Sequence, residues 1–259
     1  MYPELLKLGP VSVYSYGLML GVAFFLANYL FTQELKRKKM DPNLASTITM
    51  LALIFGIVGS KLFHLFEHWD EFIENPMMAF SPAGLTFLGG FLLAALIIFV
   101  YIRRKKVSFL LIADMNAPGL ALAYGIARIG CHLSGDGDYG VISELPWAYS
   151  YVNGTVPTYP GVTVHPTSIY ELICSILIFV FLWYVRKKTS KNGELFAYYL
   201  MLTSIARFFV EIIRLNPKIF IGLTEAQFIS VLLFITGVAM FVFFKTRNRV
   251  TLPDHIDRT

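Results

Sequence analysis

The sequence predicts an all-α polytopic membrane protein of about seven transmembrane helices, and three observations predict it. Of the 259 residues, 56% are hydrophobic and only 15% are charged, a balance that soluble domains of this length rarely carry. The apolar residues fall in runs of about 20, enough to span a ~30 Å hydrocarbon core as a helix. Short basic clusters follow every second run, which is how cytoplasmic connections are marked. One membrane domain covering residues 1–259 is expected.

The runs lie at about 13–33, 46–66, 84–102, 109–130, 168–185, 194–214 and 224–244. The first begins near Val13, behind a weakly charged stretch without the basic start and small-residue cleavage site of a signal peptide, so it is expected to remain as a span. Lys36, Arg37, Lys38 and Lys39 follow it, and residues 103–106 (RRKK) follow the third run. Arg186, Lys187, Lys188 and Lys191 follow the fifth, and Lys245, Arg247 and Arg249 the seventh. The positive-inside rule then sets the N-terminus out and the C-terminus in. The opposite connections differ in kind. Glu67, His68, Asp70, Glu71 and Glu74 make one of them acidic, and residues 131–167 form a long extracytoplasmic head between helices 4 and 5. Its Trp147, Tyr149, Tyr151 and Tyr159 suit a membrane interface, where an aromatic ring keeps one edge wet. Residues 251–259 read as a short polar end.

Composition also excludes. The net charge of +5 sits in the topology clusters rather than in a nucleic-acid motif, so no nucleic-acid partner is expected. Cys131 and Cys174 supply neither a disulfide framework nor a paired metal-ligand spacing, and no metal or cofactor is expected.

Ionisable groups inside spans are costly and are retained for a reason. Those noted here, Lys61, Arg128, Arg207, Glu211 and Arg214, converge toward the outer side. Arg207, Glu211 and Arg214 share one helical face by their spacing. They can form an internal salt bridge. They can also leave a net cation, because one glutamate neutralises one of two arginines, and a net cation seats a lipid phosphate. The fourth run ends in ARIGCHLSGDGDYG, read as a polar glycine-rich loop leaving the membrane rather than a continuing helix. Such a loop can cradle a phosphate or glycerol beside Arg128, or serve only as an exit turn with Asp136 and Asp138 solvated.

These residues resemble a known family. Arg128-Ile129-Gly130 opening the loop, HPTSIYE at residues 165–171 and ARFFVEIIR at residues 206–214 are similar, in this order, to the motif set of prolipoprotein diacylglyceryl transferases. Tyr16-Gly17-Leu18-Met19, Gly89-Gly90 and residues 224–230 extend the resemblance over nearly the whole chain. It implies a multi-pass protein of the bacterial plasma (inner) membrane with its active site on the extracytoplasmic side. The implied transferase reaction moves the diacylglyceryl group of phosphatidylglycerol onto the lipobox cysteine of a prolipoprotein signal peptide, forming a thioether and releasing glycerol phosphate. Membrane lipid and precursor are the implied partners.

By the same resemblance Arg128 and Arg207 are the essential arginines, Glu211 orients Arg207, and Arg214 supports them. Tyr16, Lys61, Gly89, Gly90, Gly140, His165, Tyr170 and Glu171 are expected to bind substrate. The third-run motif is usually His-Gly-Gly and here reads Leu88-Gly89-Gly90, which removes a general base from its usual place. His132 or Asp136 is expected to replace it. Lys61 stands where the family often has arginine, Thr203 where it often has tyrosine, and the exit loop replaces the usual asparagines and glutamate with Cys131, His132, Ser134 and Asp136. These departures leave two further readings open: a homologue using the same lipid site with a different acceptor, and a non-catalytic lipid-binding or transport protein.

Overall fold

The computed structural model describes residues 1–246 apart from 9, 10, 82, 83 and 85, so the expected polar end and the basic Arg247 and Arg249 lie outside the described residues. A β-hairpin, β1 (Glu4–Leu8) and β2 (Val11–Tyr14), opens the chain. The helices follow as α1 (Ser15–Arg37), α2 (Asn43–Glu67), the short α3 (Trp69–Glu74), α4 (Phe87–Arg104), α5 (Phe109–Ser134), α6 (Thr167–Val185), α7 (Glu194–Glu211) and α8 (Glu225–Thr246). A second hairpin, β3 (Lys218–Phe220) and β4 (Leu223–Thr224), links α7 to α8.

All seven apolar runs lie on helices. Five of these, α1, α2, α5, α6 and α8, are long and apolar enough to cross a membrane. The other two, α4 and α7, have 18 residues each, about 27 Å at the helical rise and short of a ~30 Å core. The first helix starts at Ser15 because β2 holds the preceding residues extended against β1.

The chain divides into two compact units, one of residues 28–112 and one of residues 1–27 with 113–259. In the first, α2 packs on α4 through glycines. A Cβ at Gly59 would lie 2.5 Å from the Gly89 carbonyl oxygen, and one at Gly90 would lie 2.5 Å from that of Gly56, so the two backbones approach as closely as small residues allow. Gly89 and Gly90, expected to touch substrate, thus have a packing role here.

In the second unit α5, α6 and α7 pack together over Ala117, Ala121, Ile178, Leu182 and Leu195, and α8 packs on α7. Asp114, a buried carboxylate in α5 that the sequence reading overlooked, accepts hydrogen bonds from the amides of Gly193 (2.6 Å) and Phe196 (2.7 Å) at the start of α7. It supplies a helix N-terminus with the anion its unpaired N–H groups favour. Ionisable groups therefore do not all gather toward one end of the spans as expected.

The exit loop also departs from expectation. α5 does not stop at Gly130 but continues through Cys131, His132 and Leu133 to Ser134. Gly130 is tolerated within it because a Cβ there would press on Tyr16 and Met19 of α1, each 3.1 Å away. The chain turns at Gly135, whose φ of 59° suits glycine. Beyond it the head folds as a short ladder: Gly140 N–H donates to His165 O (2.9 Å), Ser143 to Thr163 (3.0 Å) and Tyr149 to Val164 (3.0 Å). Trp147, Tyr149 and Tyr159 are exposed as an interface requires, but Tyr151 is 1% exposed. It is the core of the head, stacked on Tyr139 and edge-on to Tyr149.

Candidate functional site

Three arginines and three carboxylates meet where the late turns of α5 and α7, the first turns of α6 and the head come together. Glu171, on the second turn of α6, is the hub. It accepts from Tyr124 Oη (2.8 Å), lies 2.9 Å from Arg128 Nε, pairs with Arg207 Nη1 and stands 3.6 Å from Arg214 Nη1. Asp138, from the head, pairs with both Arg128 and Arg214. Glu211 lies 2.9 Å from Arg207 and 3.7 Å from Arg214, and accepts from Asn216 Nδ2 (2.5 Å). Arg128 also receives support from Tyr124, whose ring centroid is 4.6 Å from the guanidinium carbon.

The cation expected from the α7 face alone is therefore compensated. Glu171 and Asp138 arrive from other elements, and three positive groups face three negative ones. Burial explains the need: the side chains of Glu171 and Glu211 are 3% and 0% exposed, and an unpaired guanidinium beside them would carry its full desolvation cost. Arg207 and Glu211 pair at i, i+4 as their spacing implies.

The head is fixed to this cluster. Gly140 bridges to Arg214 through the backbone, and Val141 N–H donates to Ile213 O (2.9 Å). A Cβ at Gly140 would stand 2.6 Å from Ile213 O, so only glycine admits this approach. Thr167 Oγ1 donates to Asp138 O (2.8 Å), which ties the start of α6 to the same turn. Burial pushes the Asp138 carboxyl up, but the Arg128 and Arg214 guanidiniums outweigh it and hold it below the usual carboxylate range.

The two expected replacement bases diverge. Asp136 caps its own turn by accepting from Asp138 N–H (3.2 Å), and burial pushes its carboxyl above the usual range. Cys131 Sγ lies 3.5 Å from Arg128 Nη1, and donor atoms of Cys131, Asp136 and Asp138 fall within 4.8 Å of one another. His132 faces the head instead, with Nδ1 2.9 Å from Tyr151 Oη and its ring edge-on to Tyr149 and Tyr151. His165 Nδ1 is 3.0 Å from Tyr170 Oη, which accepts from Trp147 Nε1 (2.8 Å). Tyr16 packs on Gly130. Lys61, which donates to Ser81 O (2.9 Å), belongs with Gly89 and Gly90 to the other unit.

Sequence reasoning missed Tyr124 and Asn216, and it read Asp138 as part of the exit loop without giving it an arginine partner. Tyr124 was legible as the position one helical turn before Arg128; Asn216 reaches Glu211 only because the chain turns after α7, and Asp138 reaches Arg128 and Arg214 only through the turn that leaves α5.

Comparison with known proteins agrees with the resemblance. The sequence model described as prolipoprotein diacylglyceryl transferase matches residues 3–243. A protein of Leptospira interrogans named phosphatidylglycerol–prolipoprotein diacylglyceryl transferase is 31% identical over 244 residues, 84% of this chain and 76% of that protein. A Streptococcus uberis protein of the same name is 30% identical over 251 residues, 95% of this chain and 96% of that protein. One from Clostridium perfringens, named with the suffix 2, is 31% identical over 243 residues, 92% and 94% of the two chains.

Proposed function

The chain belongs to the prolipoprotein diacylglyceryl transferase family, and from that premise we propose that it transfers the diacylglyceryl group of phosphatidylglycerol to the lipobox cysteine thiol of prolipoproteins. The observation that carries the reading is the meeting of Arg128, Arg207 and Arg214 around Glu171 and Asp138. The thiolate sulfur attacks the glycerol carbon that bears the phosphate ester. The C–S bond forms as the C–O bond breaks, the electron pair leaves on the phosphate oxygen, and glycerol phosphate departs. Arginines suit this step because their planar forks hold phosphate oxygens bidentately and stabilise charge growing on the leaving group. Glu171 and Glu211 hold the guanidiniums in place before substrate arrives. Asp136 takes the thiol proton. A thiol of ordinary pKa near ~8.5 needs only modest help beside guanidinium groups.

The seven-span arrangement, with N-terminus out, C-terminus in and the head and arginine cluster on the extracytoplasmic side of a bacterial inner membrane, belongs to the same proposal. It rests on the basic connections and on the substrate, since a secreted precursor meets the enzyme at that face.

Purified protein incubated with phosphatidylglycerol and a lipobox peptide tests the reaction. Mass spectrometry is expected to find the diacylglyceryl adduct on the peptide cysteine, with glycerol phosphate released in equal amount. Release of glycerol phosphate without the adduct would point to another acceptor, and no turnover of either substrate would defeat the reading. Labelling of a cysteine placed at Pro157 only from the cytoplasmic side would defeat the orientation.

A further inference from the structure

A second cluster, unrelated to the arginines, stands at the C-terminal end of α2. Residues 64–68 read HLFEH; His64 and Glu67 lie on the last turn of α2, and His68, the residue that caps it, follows at i+4. One ligand-capable atom from each of the three lies within 4.8 Å of the other two, and the two imidazole centroids are 4.3 Å apart. Two histidines at i and i+4 are a spacing that zinc sites on helices use.

The surroundings orient these donors. His68 Nδ1 lies 3.1 Å from the His64 carbonyl oxygen, so that nitrogen carries the proton and Nε2 presents its lone pair. Thr86 Oγ1 donates to Glu67 Oε2 (2.9 Å), holding the carboxylate while its other oxygen stays available. A backbone carbonyl behind a histidine and a hydroxyl behind a carboxylate are the supports that ligating residues ordinarily receive. Gly84, at a φ of 73°, gives the His64 ring its space, since any Cβ there would run into the imidazole. The next helix, α3, adds Asp70, Glu71 and Glu74, whose charge favours a cation nearby.

We propose that His64, Glu67 and His68 form a binding site for a divalent transition metal of the zinc class. Two imidazoles and one carboxylate suit such an ion better than magnesium or calcium, which prefer oxygen donors throughout. Three protein ligands leave the fourth tetrahedral position open to water or another ligand. With bonds of about 2.1 Å the donors stand roughly 3.4 Å apart, so closure asks only for small side-chain rotations at a helix end. The bound ion joins the last turn of α2 to the segment that enters α4 through Thr86.

The test uses the full-length protein without an affinity tag, in detergent micelles, stripped by chelator and titrated with zinc alone by calorimetry. Cobalt(II) absorption reports the geometry. One equivalent of zinc and a tetrahedral cobalt spectrum are expected, both lost in His64→Ala and His68→Ala. Thr86→Val should weaken binding by about 10- to 100-fold, as loss of an outer hydrogen bond does. Cys131→Ser separates this site from the donors near Asp138 and should leave zinc binding unchanged. His68→Gln, milder than alanine, checks that loss of binding is not loss of fold, with melting of the metal-free protein compared for each variant. Undiminished zinc binding in folded His68→Gln and His68→Ala, binding abolished by Cys131→Ser, or no zinc binding by the unaltered protein would each overturn the proposal.

Discussion

Replacing Glu171 with glutamine tests the arginine cluster at its hub. The amide keeps the shape of the carboxylate, and its oxygen can still accept from one neighbour. Its NH2 cannot. One carboxylate oxygen serves Tyr124 and Arg207 and the other faces Arg128, so whichever way the amide turns, a donor meets a guanidinium donor. The cluster also passes from three carboxylates to two and gains an uncompensated buried charge. Removing one partner of a buried ion pair costs about 3–5 kcal/mol. Arg128 retains Asp138 and Arg207 retains Glu211, which places the cost near the lower end. At about 2–4 °C per kcal/mol for a chain of this size, the melting temperature should fall by roughly 6–12 °C. Transfer activity should fall on the order of 100-fold, the loss typical when an electrostatic contact to a transition state is misplaced. Thermal melting in micelles and the peptide adduct assay measure the two effects. A Glu171→Gln protein that melts and turns over like the unaltered one would refute the assignment of Glu171 as the organiser of the arginines.

Arg207→Ala should lose about 100- to 1000-fold of activity, and Arg207→Lys most of it, because an ammonium cannot reproduce a bidentate contact; single-turnover rates decide whether the loss lies in chemistry. Asp136→Asn should slow transfer by about 100-fold or more near neutral pH, with a deficit that shrinks as pH rises toward the thiol pKa, whereas His132→Ala, whose ring engages Tyr151, should cost far less; equal rates for both variants and the unaltered protein from pH 6 to 9 would remove the exit turn from catalysis. The Asp138 carboxyl, held below its usual range, contributes stability that is fully present above the unfolded value of about 3.9 and is lost as pH falls through the folded one. Melting curves in acid should therefore separate the unaltered protein from Asp138→Asn at pH 5 and converge at the lowest pH.

How far the sequence anticipated this arrangement depends on the range of each contact. Arg207, Glu211 and Arg214 were legible as a set because helical periodicity places them on one face. Asp114 and Asp138 were not, since the partners of Asp114 lie 79 and 82 residues away, and Asp138 reaches Arg128 across the turn that follows α5 and Arg214 from 76 residues away, with no helical spacing to announce either. Glu171 was expected to bind substrate only because it ends the HPTSIYE motif; that it compensates three arginines follows from where α6 starts. The end of α5 was misread because glycines usually stop helices, while Gly130 serves contact with α1 and Gly135 does the stopping. Apolar run length located the helices well, because a run of about 20 apolar residues is itself the length of a membrane-crossing helix, and five of the helices reach it.

Asp138 is the least buried of the three carboxylates, with 27% of its side chain exposed against 3% for Glu171 and 0% for Glu211. It is also the one borne by the head rather than by a helix. On the proposed reaction, a phosphate approaching Arg128 and Arg214 would meet a seat that Asp138 already fills, and binding there would exchange one anion for another. The resting cluster stays electrically balanced where burial leaves its guanidiniums little water, and affinity for a phosphate would be set by how much better it grips the two forks than a carboxylate does. Because the same turn carries Gly140 and the Thr167 contact, a displaced Asp138 would pull on the start of α6 and on the head together.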